Sequence, residues 1–303
     1  MGRPLLSLHV RFVQMKKRID TINLFYVPAL LLFALFVIYP FFKGIYLSFS
    51  NWNGYSRSFK MIGFKNYINL FKDRNVHRAF ANTLVYGVGS TLIQNVLGVL
   101  FAVFLNRKFR GRSLVRTVIY LPVMIAPLIM GYVMYFFFNY NRGAINDILK
   151  LFGASPVDWL ADGNRAVAIL TVVNSLQFVG ISMVIYLAGL QNIPSMYYEA
   201  AQIDGIDSFQ KFFRITLPLL MPAITSSVTL NLIGGLKLFD VISALTGGGP
   251  GYDTHSLSTL IHKYYFGGER AGYASAIGMV FFVFIMIVSN VVVKALQKRQ
   301  VEL

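Results

Sequence analysis

The chain contains no cysteine. Disulfide staples, thiolate metal sites and cysteine nucleophiles are therefore excluded. Charge is almost as scarce. Asp, Glu, Lys and Arg supply 13% of the 303 residues, where an ordinary soluble domain carries about 25%. Acidic residues are the rarer sign, 12 against 28 basic. So few charges could not coat a water-soluble fold that is 56% hydrophobic, and a chain this apolar does not stay disordered. The four histidines, at 9, 77, 255 and 262, show no metal-ligand spacing within a span, so no metal site is expected. No H-E-x-x-H or G-x-S-x-G occurs, which leaves no catalytic residue to nominate.

The net charge of +16 first suggests a nucleic-acid binder. Sparse basic residues between long apolar runs fit better as positive loops flanking membrane spans, and no nucleic-acid partner is expected. Six windows lack all four charged residue types: Thr21–Phe42, Ala79–Asn106, Thr117–Asn141, Ala166–Tyr198, Ile215–Leu236 and Ala271–Val293. Each is long enough to cross a bilayer, which takes about 20 helical residues. They predict an all-α, polytopic membrane protein with six transmembrane helices, at 24–47, 80–105, 115–139, 166–190, 216–240 and 272–295. The six-span membrane domain would then run over 21–296, with tails at 1–20 and 297–303. Strands of a β-barrel would be shorter and would alternate. The first window is too long for a signal-peptide core and ends in Tyr39-Pro40-Phe41-Phe42 rather than a small-residue cleavage site, so it reads as a retained span.

Arg107, Lys108, Arg110, Arg112 and Arg116 crowd the link between spans two and three without an acid among them. That link should be cytoplasmic and able to touch anionic lipid, and with six spans both termini are cytoplasmic too. The first external loop is also basic, with Arg57, Lys60, Lys65, Lys72, Arg74 and Arg78 against Asp73, but its charges are spread over a longer segment.

The link between spans four and five, 191–216, predicts a helix–turn–helix elbow. Pro194 and Ser195 suit a helix start with Ser195 as N-cap. Gly205 suits the left-handed position after a helix. Asp207 or Ser208 can cap a second helix, and Pro218 begins span five. Small Ala200 and Ala201 would allow another surface to approach closely.

At these residues the chain resembles the permease subunits of bacterial ABC importers. Their cytoplasmic signature is E-A-A, three residues, G, nine residues, I-x-L-P. Glu199, Ala200, Ala201, Gly205, Ile215, Leu217 and Pro218 match it at every fixed position. Weaker motifs point to the carbohydrate-uptake branch: Asn66-Tyr67, Leu70-Phe71, Asp73 and Asn82-Thr83-Leu84 before span two; Asn146, Leu149, Gly153 and Trp159-Leu160 after span three; Leu187 to Gln191 at the end of span four; Thr246 to Pro250 after span five. Ile206 departs from a frequent Ala, and Leu176 from a frequent Trp.

The resemblance implies an inner-membrane permease that forms half of a pathway for a sugar or oligosaccharide. It implies a second permease, suggested by the family to be a different chain, two ATPase subunits that use ATP and magnesium, and an external or periplasmic solute-binding protein. This chain has no phosphate-binding Gly-Lys-Ser/Thr loop, so no cofactor is expected on it and energy must come from the partners. The resemblance makes Glu199, Ala200, Ala201, Asp204, Gly205, Ile215, Leu217 and Pro218 the ATPase-coupling residues. A non-sugar solute such as a glycerol-phosphate ester is the alternative. A secondary transporter would show more spans and an internal repeat.

Polar groups inside spans nominate the pathway. Lys237 and Asp240 are three apart, which on one helix would put them on a shared face. They read as pathway residues, as a mutual ion pair, or as a position already at the membrane interface. Asn231 lies two turns earlier. Asn174 and Gln177 are three apart in span four, while Gln94 and Asn95 interrupt span two. Each amide is either a solute ligand or interhelical glue. The aromatic run Tyr132–Tyr140 reads as lipid-facing bulk. The stretch Thr246–Gly251 reads as a turn or as a loop lining the outer mouth.

Overall fold

The computed structural model of the protein describes residues 25–300; the predicted tail at 1–20, the first residues of span one and the last three residues lie outside the described residues. Its helices in chain order are α1 (Tyr26–Ser48), α2 (Lys65–Leu70), α3 (Arg74–Asn106), α4 (Arg112–Met124), α5 (Pro127–Phe138), α6 (Ala144–Leu151), α7 (Gly163–Gln191), α8 (Ser195–Ile203), α9 (Ser208–Leu219), α10 (Met221–Leu236), α11 (Asp240–Leu245), α12 (Leu257–His262) and α13 (Ala271–Gln297). Among the described residues the only β pairing is an isolated bridge between Ser50 and Met61. The fold is all-α and polytopic. Helices α1, α3, α7 and α13 are each long and apolar enough to span, and two bent pairs bring the total to six if each pair is one span.

The bends correct two predicted spans. The window at 115–139 is not one rod: α4 and α5 meet at 100°. Ala126 is extended, at φ −56° and ψ 134°, because the ring of Pro127 disfavours helical backbone in the residue before it. The window at 216–240 is broken as well. Helices α9 and α10 meet at 69° across Leu220, and Pro222 can supply no N–H to bridge that break. Span five therefore does not begin at Pro218, which sits inside the last turn of the elbow.

The centre of the bundle is the α3–α7 pair, with α10 packed against both. Small residues let the backbones close up. A Cβ added at Gly98 would lie 2.5 Å from the Ser182 Cβ. Around that contact Ala102, Leu105, Met183, Tyr186 and Leu187 are buried. Helix α1 is peripheral, resting on α13, and its outer face is bare: Phe36 is 70% exposed. A protein in water would not tolerate that face, but lipid solvates it.

Several of the weaker motif residues tie loops together. Asn66 donates to the carbonyls of Ser48 and Ser50. Asp73 caps α3 and accepts from the hydroxyls of Tyr264 and Tyr273. Asn146 accepts from the Trp159 Nε1–H and the Val157 N–H and donates to the Val157 carbonyl. Asn82 donates to the carbonyls of Asp253 and His255, and Thr83 Oγ1 accepts from the Leu257 N–H. These bonds hold the loop after α11 against the start of α3, at the end of the bundle opposite the elbow.

Candidate functional site

Two regions hold the nominated residues. The first is the elbow, α8 and α9. Pro194 occupies the cap position of α8 and Ser195 is its first helical residue, so the expected Ser195 cap is not made. The turn after α8 is fully bonded. Gly205 is left-handed at φ +69°, its N–H donates to the Gln202 carbonyl, and the Ile206 N–H donates to the Ala201 carbonyl. This is the paired closure that a helix end makes around a left-handed residue. Asp207 Oδ1 then accepts from the Gln210 N–H at 2.6 Å and starts α9. Two helices joined by the bonded four-residue turn Asp204–Asp207, with one left-handed glycine in it, give the elbow a fixed angle.

The outer surface of the elbow is apolar. Ile203 is 87% exposed and Phe209 73%, with Met196 and Phe213 also exposed. Glu199, Ala200 and Asp204 are exposed beside them. Such a patch at the polar end of a membrane bundle marks a protein-interaction surface. Ala201 is not part of it. It is 2% exposed, so the expectation that it meets a partner is corrected: it packs inside the elbow. Ile215, Leu217 and Pro218 lie where α9 turns into the bundle and are half-buried. The Tyr198 hydroxyl lies 3.3 Å from Thr216 Oγ1 and joins α8 to α9.

The second region is a cavity of about 300 Å³ among α3, α7 and α10. Its lining includes Gln94, Asn174, Asn231, Lys237 and Asp240, with Phe178 and Phe239 as apolar walls. Four of the five nominated pathway residues thus converge. Gln177 does not: it is fully buried and donates to the Ile125 carbonyl at 3.0 Å, holding the bend between α4 and α5. Asn231 both lines the cavity and bonds Ser182 Oγ at 2.6 Å. Asn95 is glue, accepting from Ser227 Oγ and from the Tyr186 hydroxyl.

Lys237 and Asp240 do not share a helix face. Helix α10 ends at Leu236, and Asp240 opens α11 after an irregular Phe239. Nor do they pair. Among the described residues the ion pairs are Arg78–Asp253 and Asp147–Lys150. Both side chains are exposed at the cavity mouth. Gln94, the amide that interrupts span two, also lines the cavity and donates to the Asn174 carbonyl while its own buried Oε1 has no partner. The cavity therefore combines apolar walls, amide groups and one charge of each sign, a lining suited to a polyhydroxylated solute.

The loop at Thr246–Gly251 does not line this cavity. It is a tight turn tied by Thr254 to Gly249 and Thr246. His262 is the last residue of α12. His255 is buried in the loop, its Nδ1 3.0 Å from Thr259 Oγ1 and its Nε2 unpartnered. Burial, and then the nearby Lys263 charge, push its imidazole down to about 4.

Residues 94–302 match the family model described as "Binding-protein-dependent transport system inner membrane component". The chain is 36% identical to the multiple sugar-binding transport system permease protein MsmF of Streptococcus mutans, over 91% of this chain and 95% of that one. It is 33% identical to the trehalose/maltose transport system permease protein MalF of Thermococcus litoralis, over 86% and 88%. A chain in the crystal structure of a bacterial ABC transporter involved in the import of the acidic polysaccharide alginate superposes with a TM-score of 0.82 at 26% identity, covering 95% of this chain and 99% of that one.

Proposed function

The chain belongs to the binding-protein-dependent transport system inner membrane components, and from that we propose that it is a permease subunit that carries a sugar or oligosaccharide inward. The observation that carries the proposal is the joint presence of a rigid elbow with an apolar outer face and a polar, aromatic-walled cavity in the same bundle. In this reading the elbow takes up motion from ATPase subunits through Glu199, Ala200, Asp204, Ile203 and Phe209. Gly205 sets its angle; Ile215, Leu217 and Pro218 transmit the motion into α10. Hydrolysis of ATP with magnesium takes place on those partners. A second permease, suggested to be a different chain, completes the pathway over the open cavity face, and an external binding protein delivers the solute. Both termini and the elbow face the cytoplasm of a bacterial cell.

The names of the relatives support a saccharide, and so does the cavity. Asn174, Asn231 and Gln94 offer amides for hydroxyls, while Phe178 and Phe239 offer apolar surface for ring faces. Lys237 and Asp240 cancel in net charge, which favours a neutral solute over a phosphate ester. The test is to purify the complex with its ATPases and measure ATP hydrolysis with binding protein, empty or saccharide-loaded. Loaded binding protein should raise hydrolysis several-fold. Equal hydrolysis in both states, or stimulation by a glycerol-phosphate ester alone, would overturn the saccharide reading.

A further inference from the structure

A file of aromatic side chains runs from Trp52, in the loop after α1, to the cavity. Phe239 lines the cavity, and its ring centroid lies 5.4 Å from that of His262, edge to face. His262 lies 4.9 Å from Phe266, Phe266 4.8 Å from Tyr265, and Tyr265 6.4 Å from Trp52. None of the five is buried, and Phe266 is 60% exposed. They come from three separate stretches of chain. The π-turn Lys263–Gly267 after α12 makes the arrangement possible. Its wider turn points Tyr264 inward to Asp73 and leaves Tyr265 and Phe266 on the accessible side. Such turns recur at functional positions.

An aromatic belt at the membrane–water interface is the plain alternative. A belt would follow the perimeter of the bundle, whereas this file turns inward. It ends at Phe239, within two residues of Lys237 and next to Asp240, both of which line the cavity.

We propose that Trp52, Tyr265, Phe266, His262 and Phe239 form a stacking track that holds saccharide rings between the outer mouth and the cavity. The proposal rests on the saccharide reading above. The C–H face of a sugar ring is weakly positive and an aromatic face weakly negative. Stacking has little directional demand, so a ring can slide from one partner to the next before the cavity amides bind its hydroxyls.

The test uses the assembled transporter in proteoliposomes with maltose, trehalose, maltotriose and arabinotriose as probes. If none stimulates wild-type ATP hydrolysis or enters, the saccharide reading fails and the track fails with it. If at least one is carried, Tyr265→Ala and Phe266→Ala should lower its uptake about 2- to 10-fold. Hydrolysis without saccharide should stay unchanged, and Phe266→Trp should keep most of the uptake. Unchanged uptake in both alanine variants overturns the track while leaving the saccharide reading intact. A second readout does not depend on turnover. Because this chain lacks cysteine, Phe266→Cys can be labelled with a membrane-impermeant maleimide. The track requires labelling that the carried saccharide slows, with Phe36→Cys on the bare face of α1 unlabelled. An unlabelled Phe266→Cys places the ring in lipid and overturns the proposal.

Discussion

Replacing Gly205 should uncouple the ATPase without unfolding the bundle. The backbone there is left-handed, at φ +69°, and a Cβ added at this position meets nothing within 4 Å. The cost of a side chain is thus conformational rather than steric. For an L-residue it is about 1–2 kcal/mol, and a β-branched residue lies at the upper end. That corresponds to about a 5- to 30-fold shift away from the bonded turn. The two bonds that close the turn, from Gly205 and Ile206 to Gln202 and Ala201, would be lost together. We therefore expect Gly205→Val to insert normally and to bind its ATPases about 5- to 30-fold more weakly. Gly205→Asn should stay within about 3-fold of wild type, because Asn tolerates the left-handed region. The assay is ATPase retention on the tagged, detergent-purified permease, titrated with ATPase, beside a membrane-insertion control. Wild-type retention by Gly205→Val would refute the reasoning, and so would equal losses for Val and Asn.

On the outer face of the elbow, Ile203→Asp or Phe209→Asp should weaken ATPase binding by at least about 10-fold, the cost of removing one buried anchor from an interface. Insertion should be unaffected in both, and the same titration reads the result. Ala201→Trp should fail differently from Ala200→Trp. The buried site has no room, so the first should lower the yield of folded protein on size-exclusion chromatography, whereas the second should fold and only dock poorly. Lys237→Met and Asp240→Asn are not ion-pair partners, so their effects on uptake should combine without compensation. Recovery of wild-type uptake in the double variant would show that they do pair. His255 gives a pH dependence. Its folded-state pKa of about 4 lies below the unfolded value of about 6.5, so the unfolded chain takes up the proton first. Stability should be flat above pH 6.5 and fall as pH drops toward 4. Thermal melts should show that fall in wild type and less of it in His255→Asn.

The membrane architecture was legible because charge is costly in lipid, and the six gaps between charges fall on the four long helices and the two bent pairs. The elbow was legible from spacing: Gly205 carries its conformational role in lacking a Cβ, and Asp207 in a carboxylate that can cap a helix. The breaks at Ala126 and Leu220 were marked by Pro127 and Pro222, but a proline in a membrane span can be absorbed without a bend, so the angle was not legible. The i, i+3 spacing of Lys237 and Asp240 allows a shared helix face. The unwinding at Phe239 that separates them depends on α11 packing against α5. The burial of Gln177 depends on its bond to Ile125, far along the chain, and no local pattern encodes it. Asn66, Asp73, Asn82 and Asn146 were visible as motif members, but their role as ties between loops became clear only from their partners. The aromatic file joins positions 52, 239 and 262–266, which only the fold brings together.

Saccharide accumulation in sealed proteoliposomes tests the central claim most directly. The vesicles would contain both permeases and the ATPases, with binding protein outside and ATP inside. The account predicts that radiolabelled saccharide accumulates only when internal ATP and external binding protein are both present, and that adding a proton or sodium gradient changes nothing. Accumulation driven by an ion gradient without ATP would make the protein a secondary transporter and contradict the account.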